Sequence, residues 1–600
     1  MFFRSHTFDK MEEARTSTSR SQEFEKQDGN VVEMGSMAAT PLNEQDNQKL
    51  AQVGSNGPVV HEKMNFRLFM TLVCMSFLWI SCQMPLFLFG SILTLIYKDI
   101  GGVDRYSWFM IAYLIANAAL CPFVGALSDL FGKQKVAIMG QASLVIGAIV
   151  VSTASNMNVA IGGQVFSGMG AGINELIALS GTAEVVPVKD RGKYVAAVIF
   201  TLIPFCPAVL YAQYIASDGG SWRYNGILLG VWNFIGLLLC IFFYRSPSRL
   251  SEDYTARDVL RKIDFIGGAL SISGVTLFMM GLQWGAVQYN WGSVHNLVPL
   301  LIGLALLAAF VVWELRAPYP MVPRAMFSKA RTTMIVILLL IFISGGTFFA
   351  LILLYPSQVF NVWGDDPVKV GLRSLPIGFG IMGGAVIGLV LIPISKGRMR
   401  EIMIFFTALM TAATGALSIA APDNLPTALV LVSLGCTAVG AVVIPSTIIA
   451  QIACPDDLIA TVTALTLSVR FIGGAIGFSI YIAVFSKQAT KYLTEMATNT
   501  IAMNAIVNPL IPAGRAAIEE IVRAIANARF DIVKEVLAND SSVLQRDAFP
   551  TILAASQEAF AKAYRLPYYI SIAFGGACFI LSFFIGDLRE YLTSDILVHV

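Results

Sequence analysis

Charge is scarce in this sequence. Of its 600 residues, 13% are Asp, Glu, Lys or Arg and only four are His, leaving a net charge of +2. So small a surplus gives no basic surface for nucleic acid, and no nucleic-acid partner is expected. Cysteine is sparse as well. The eight present (Cys74, Cys82, Cys121, Cys206, Cys240, Cys436, Cys454 and Cys578) all lie in or at the ends of apolar runs, none at CxxC metal-site spacing. They read as small apolar residues, with no metal site and no disulfide framework. Also missing is any arrangement of nucleophile, base and oxyanion donors, so an enzyme is not expected, and neither is a cofactor. The first 60 or so residues, rich in Ser, Glu, Gln, Asp and Thr, hold no apolar stretch long enough for a signal-peptide core. Residues 1–65 are read as a disordered cytosolic tail, with the first membrane span as its own insertion signal.

Apolar residues are abundant, at 56%. They gather in uninterrupted runs of about 20, each long enough to cross a hydrocarbon core roughly 30 Å thick. Spans fall near 67–90, 108–128, 136–154, 159–183, 193–215, 223–243, 264–284, 297–315, 333–355, 371–394, 401–421, 427–451, 459–485 and 567–586, about fourteen in all. The expected fold class is an all-α integral membrane protein. An even number places both termini on one side, and charge selects the side. Loops on one face carry Lys133/Lys135, Lys189/Arg191/Lys193, Arg245/Arg249/Arg257/Arg261/Lys262, Arg316/Arg324/Lys329/Arg331 and Lys396/Arg398/Arg400. Short loops on the other face carry only Lys98, Arg105, Arg223, Lys369 and Arg373. The positive-inside rule puts the first face, and both termini, in the cytosol. The acidic CPDDL at 454–458 breaks the rule, so the thirteenth span takes its orientation from its neighbours.

The long external loop at 487–566 has amphipathic helical stretches at 516–537 and 551–564 and contains the one N-x-S/T sequon, Asn539-Asp540-Ser541, making Asn539 the candidate glycosylation site. A weak repeat runs through the chain. The second span ends in GALSDLFGKQK (125–135) and the tenth in GLVLIPISKGRMR (388–400), both an apolar helix followed by Gly and basic residues. The repeat aligns if spans seven and eight, within 244–332, are an insertion between a six-helix bundle at 66–243 and another at 333–590, followed by a cytosolic tail at 591–600. Duplicated bundles flanking a shared site are a transporter architecture.

Gly125, Asp129, Gly132 and Lys133 in the first ending are candidates for a conformational latch. The glycines permit close approach and a tight turn, and Asp129 can pair with a basic side chain at a neighbouring helix end. In the fourth span, GGQVFSGMGAGINELIAL, the small residues Gly162, Ser167, Gly168, Gly170 and Gly172 read as helix-packing positions rather than a nucleotide loop, because no strand precedes them. Pro204 and Pro207 should kink the fifth span. Ionisable residues inside the membrane are expensive and so are candidate functional sites. Glu175 can load and release a proton, and Arg470 can bind an anionic group or pair with a carboxylate; with Asp129 these are the proton-coupling candidates. Asp264 reads as an interfacial N-cap. Asn117, Gln164, Asn174, Gln213 and Gln358 are the substrate-cavity candidates. Amid abundant aromatic and Met side chains, such groups suit a bulky amphipathic molecule.

The loop signature, the two extra spans, DxxG at 264–267, WGAVQYNW at 284–291 and the long loop before the last span together resemble the fourteen-span drug:proton antiporters of the major facilitator superfamily. GGVDRYSWF (101–109) and EVVPVKDRGKY (184–194) make the chain most similar to the fungal trichothecene efflux pump family. That resemblance implies a monomeric plasma-membrane exporter of a toxin, drug or secondary metabolite, driven by the proton gradient. Two features depart from the antiporter pattern. Gln164 stands where relatives carry Arg, and the fifth-span signature is eroded to LIPFCPAVLYAQY. Proton-coupled import of a ferric siderophore and a transport-inactive sensor stay open as alternatives.

Overall fold

A backbone buried in hydrocarbon must satisfy its own hydrogen bonds, and an apolar run can do so unaided only as a helix. A computed structural model describes residues 66–591, apart from 103–104, 106, 187–189, 218–219, 246–263, 288, 290, 365, 396, 456–457, 503–505, 509–511, 527–529, 541–542 and 546. The expected tail at 1–65, all but the first residue of the expected tail at 591–600, and most of the Arg-rich loop before the seventh span lie outside the described residues. Those described are almost entirely helical, with one isolated antiparallel bridge between Val507 and Val543.

The first half comprises α1 (Phe66–Ser91), a short α2 (Leu93–Ile100), α3 (Ser107–Phe131), α4 (Lys133–Ser152), α5 (Met157–Glu184), α6 (Arg191–Phe200), α7 (Ala208–Ser217) and α8 (Arg223–Phe242). Then come α9 (Phe265–Val287) and α10 (Val294–Glu314). The second half holds α11 (Arg331–Trp363), α12 (Pro367–Ile394), α13 (Met399–Ala416), α14 (Leu425–Ile452), α15 (Ile459–Met496), α16 (Pro512–Ala526), α17 (Phe530–Asn539) and α18 (Phe549–Ser582).

Among the described residues, twelve helices are long and apolar enough to cross a membrane. The other two of the fourteen expected spans depart from that pattern for opposite reasons. α5 has the length, 28 residues, but its buried positions include Gln164, Ser167, Asn174 and Glu175 as well as several glycines. The fifth span is not one helix. Pro204 and Pro207 do more than kink it: it divides into α6, a 3-10 turn at Ile203–Phe205, and α7. Proline removes a backbone donor and clashes with the preceding turn, and two of them three residues apart prevent either side from re-forming the ladder.

The segment expected as a long external loop also differs from expectation. α15 runs on to Met496, and the stretch expected as a separate amphipathic helix at 551–564 is continuous with the last span as α18, Pro567 lying inside it. The loop is therefore shorter than 487–566 at both ends. Between them, α16 and α17 bury Ile521, Ile525 and Val533.

Small residues set the helix spacing. A Cβ on Gly170 would lie 2.6 Å from the Gly140 carbonyl oxygen, and one on Gly163 would lie 2.7 Å from a Val151 methyl, so α4 and α5 touch backbone to backbone. Gly168 abuts the Tyr113 carbonyl of α3 and Gly172 faces Asn117, whereas Gly162 faces open space. In the second half Gly384 abuts Thr437, and Gly473 abuts the Phe342 carbonyl. Dispersion from such close approach is the main force available between helices in lipid.

The halves meet along two seams, α3 against α15 and α6–α7 against α12. In the first, the Ser468 hydroxyl donates to the Ala118 carbonyl at 2.7 Å. In the second, Gly378 abuts the Cys206 carbonyl, and the Cys206 and Met382 sulfurs are 3.6 Å apart. The helix α9 lies over the first seam. Its Phe265 and Trp284 rings sit 6.4 Å and 5.6 Å from Phe123 and Trp108 of α3, and its Gln283 amide donates to the Ala475 carbonyl of α15 at 3.4 Å. α10 packs behind α9 and is largely lipid-facing, with Val294, Leu301 and Val311 exposed. Asp264 caps α9, accepting from the Gly267 amide at 2.7 Å, and also accepts from the Trp313 indole at 2.9 Å, which ties α9 to the end of α10.

Candidate functional site

Where both seams converge, the helices leave a partly open pocket. Its lining comes from both halves, with Trp79, Gln83 and Phe87 of α1, Tyr113 of α3 and Glu175 of α5 on one side. Phe348 and Phe349 of α11, Met382 of α12, and Arg470 and Phe471 of α15 form the other. The walls are mainly aromatic and aliphatic, and the polar groups are few, the lining typical of a site for organic molecules.

Glu175 and Arg470, 295 residues apart in sequence, meet here. The Arg470 guanidinium donates to Glu175 Oε1 at 2.5 Å, and the residues are only 2% and 4% exposed. Of the two roles the sequence offered Arg470, the structure displays carboxylate pairing. The guanidinium also lies over aromatic faces, 4.8 Å from the Phe471 centroid and 5.8 Å from that of Phe348. A desolvated cation gains about 2 kcal/mol or more from such a face, so Arg470 is held from two directions. The pair belongs to α5 in one half and α15 in the other and is therefore a bond between the halves.

The latch candidates occupy the end of the same seam where α3 passes into α4. A Cβ on Gly125 would overlap that of Ala464, so only glycine lets α3 approach α15 this closely. Gly132 has φ +89° and ψ +141°, a backbone region essentially reserved for glycine, and turns the chain from α3 directly into α4. Gly397, in the equivalent ending before α13, has φ +93°, so the weak repeat seen in the sequence is also a repeat of backbone conformation. The ion pair found here is one the sequence reading did not anticipate. Lys133 Nζ lies 2.9 Å from Glu184 Oε1, both buried, which fastens α4 to the end of α5 within one half rather than joining the halves. The side chain of Asp129 lies outside the described residues. Placing valine at position 132 should cost about 1–3 kcal/mol, because a β-branched residue cannot adopt that conformation without strain. The check is a lowered thermal midpoint for Gly132→Val in purified protein, with Gly162→Ala, which meets open space, unchanged.

The five amide candidates lie away from the cavity lining. Asn117 accepts from the Cys121 thiol at 3.4 Å, and Gln213 donates to the Ser91 carbonyl at 2.5 Å. Gln358 accepts from the Tyr568 hydroxyl at 2.5 Å. Gln164 and Asn174 are fully buried, and their amide groups meet no hydrogen-bond partner among the described residues. The lining amide is Gln83, which the sequence displayed equally plainly, in SCQMPLF. The aromatic lining residues carried no signal, since rings that face lipid and rings that face a cavity look alike in a sequence. Asn539 is exposed at the end of α17, as a glycan acceptor must be.

Two helical halves of membrane-spanning helices meeting around a shared pocket define a transporter of the major-facilitator type. The chain belongs to the fungal trichothecene efflux pump family (TRI12), whose family model matches residues 44–600. It is a transporter and not an enzyme. It is 25% identical to the trichothecene efflux pump TRI12 of Fusarium sporotrichioides over 528 residues, 84% of each chain. It is 26% identical to the efflux transporter phmH of Phaeosphaeria nodorum over 502 residues, 79% of this chain and 80% of that one. Among solved structures, a double-tryptophan mutant of XylE matches with a TM-score of 0.50 at 14% identity, covering 88% of this chain and 98% of its own.

Proposed function

We propose that this protein is a proton-coupled efflux pump that exports an amphipathic toxin or secondary metabolite, with Glu175 as the proton carrier and Arg470 as its counter-ion. The observation carrying this reading is the buried Glu175–Arg470 pair, which stands in the cavity and joins the two halves. Rocking one half against the other alternately exposes such a site to the two sides of the membrane. Exchange requires that proton and cargo travel on opposite strokes. The cargo-loaded cavity moves outward with Glu175 ionised and paired, and the emptied cavity returns with Glu175 protonated. The proton enters by competing with the guanidinium for one carboxylate. The names of the relatives support the export direction. The same reading places the chain in the plasma membrane as a monomer, with both termini in the cytosol, Asn539 glycosylated outside, and Gly125, Asp129, Gly132 and Lys133 latching the cytosolic side.

The test uses inside-out plasma-membrane vesicles with an acidic lumen, with a trichothecene supplied in the outer medium as first probe. Accumulation that collapses on adding a protonophore is the expected result. Flux that ignores the protonophore, or an outward movement of the probe under the same gradient, would remove proton-driven export.

A further inference from the structure

Two N–H groups of cavity-lining residues have no acceptor among the described residues. Trp79, 2% exposed, has an indole nitrogen without a partner, and Arg470, its terminal nitrogen already engaged by Glu175, has an unpartnered Nε. A buried donor left unsatisfied costs about 1–3 kcal/mol, and native interiors seldom keep two at one site unless something else completes them. Both groups can only donate. The remaining lining hydroxyl does not compete for the same ligand atoms, because Tyr113 gives its proton to the Cys82 carbonyl at 2.6 Å.

Deepening the export reading above, we propose that the cavity selects neutral, rigid, largely apolar molecules through oxygen acceptors (ketone, ester or ether) placed on both sides of the frame. One oxygen takes the Trp79 indole N–H and another the Arg470 Nε–H. The charges beside the site exclude the alternatives. A cationic ligand meets the Arg470 guanidinium, and an anionic ligand sets a second negative charge beside Glu175 and competes for its partner. A neutral acceptor uses the Nε–H that Glu175 leaves unpartnered and keeps the ion pair intact. Phe87, Phe348, Phe349 and Phe471 supply flat walls for the apolar frame. Because Trp79 belongs to α1 and Arg470 to α15, a ligand with acceptors at opposite ends touches both halves at once.

The experiment measures equilibrium binding of two tritiated probes of one skeleton, androstane-3,17-dione and androstane, to the full-length protein in lipid nanodiscs with no proton gradient. The wild type should bind the dione more tightly. Trp79→Phe, which keeps an aromatic ring and removes the N–H, should weaken dione binding by about tenfold, the worth of one good hydrogen bond, and leave androstane binding unchanged. Arg470→Lys, which keeps the charge opposite Glu175 but has no Nε–H, should do likewise. Failure to bind the dione, no preference for it over androstane, or an equal loss of both probes in Trp79→Phe overturns the proposal. Since binding is read without a gradient, acceptor preference together with absent proton-driven flux would count against the export reading alone.

Discussion

Glu175→Gln should transport cargo downhill at a rate that no longer responds to a proton gradient. Glutamine keeps the shape of the side chain and an acceptor oxygen for Arg470, but it cannot take up a proton at any accessible pH. If Glu175 is the carrier, the gradient loses its grip on the cycle while the cavity and its walls persist. The coupling free energy between two linked sites is typically about 1–3 kcal/mol, so stimulation of flux by an acid-outside gradient should fall by about 5- to 150-fold. Proteoliposomes with an imposed gradient provide the measurement, with surface expression and unstimulated exchange as controls. Undiminished stimulation in the variant would remove Glu175 from the role.

The second large effect is on stability and comes from the asymmetry of the pair. Breaking a buried ion pair by deleting one partner typically costs about 3–5 kcal/mol, because the other charge is stranded. The two deletions here are not equivalent. A stranded carboxylate can become a neutral acid, whereas a stranded guanidinium stays charged and has only Phe471, Phe348 and the substituted amide for company. Glu175→Gln should therefore lower the thermal midpoint more than Arg470→Met. The double variant Glu175→Gln/Arg470→Met should recover most of the loss, since it leaves no charge at all. It should not recover coupling. A double-mutant cycle read by both thermal unfolding and gradient-driven flux separates the two properties. If stability losses add without compensation, the pair does not act as a unit.

The membrane spans were legible because hydrocarbon imposes one rule on length and polarity, and 20 apolar residues in a row can meet few other fates. The same rule explains where the reading was blurred. α5 is less apolar because it faces other helices rather than lipid, with Gly163, Gly168 and Gly170 against backbone, so its composition reflects packing. The break between α6 and α7 was signalled by Pro204 and Pro207, but only the structure shows that a full helical turn is lost between them. Glu175 and Arg470 stood out as charges in apolar surroundings, and their cost made them visible one at a time. Their contact was not visible, since nothing in the sequence sets which face of α15 turns toward α5. The surroundings of the amides were hidden for a related reason. Polarity inside a span shows that a side chain avoids lipid, not whether it looks into a cavity or into a neighbouring helix, and Gln358 and Gln213 do the latter.

The helix laid across the α3–α15 seam makes the molecule lopsided. Phe265, Trp284 and Gln283 hold α9 to both halves along that edge, while on the opposite edge Phe200, Tyr214 and Phe379 stand exposed beside the meeting of α6–α7 with α12. Like a bound book, the protein has a spine and a fore-edge. Two halves rocking about such a spine displace acyl chains chiefly at the fore-edge, so the mechanical work that the surrounding lipid does on the cycle is concentrated beside the broken fifth span.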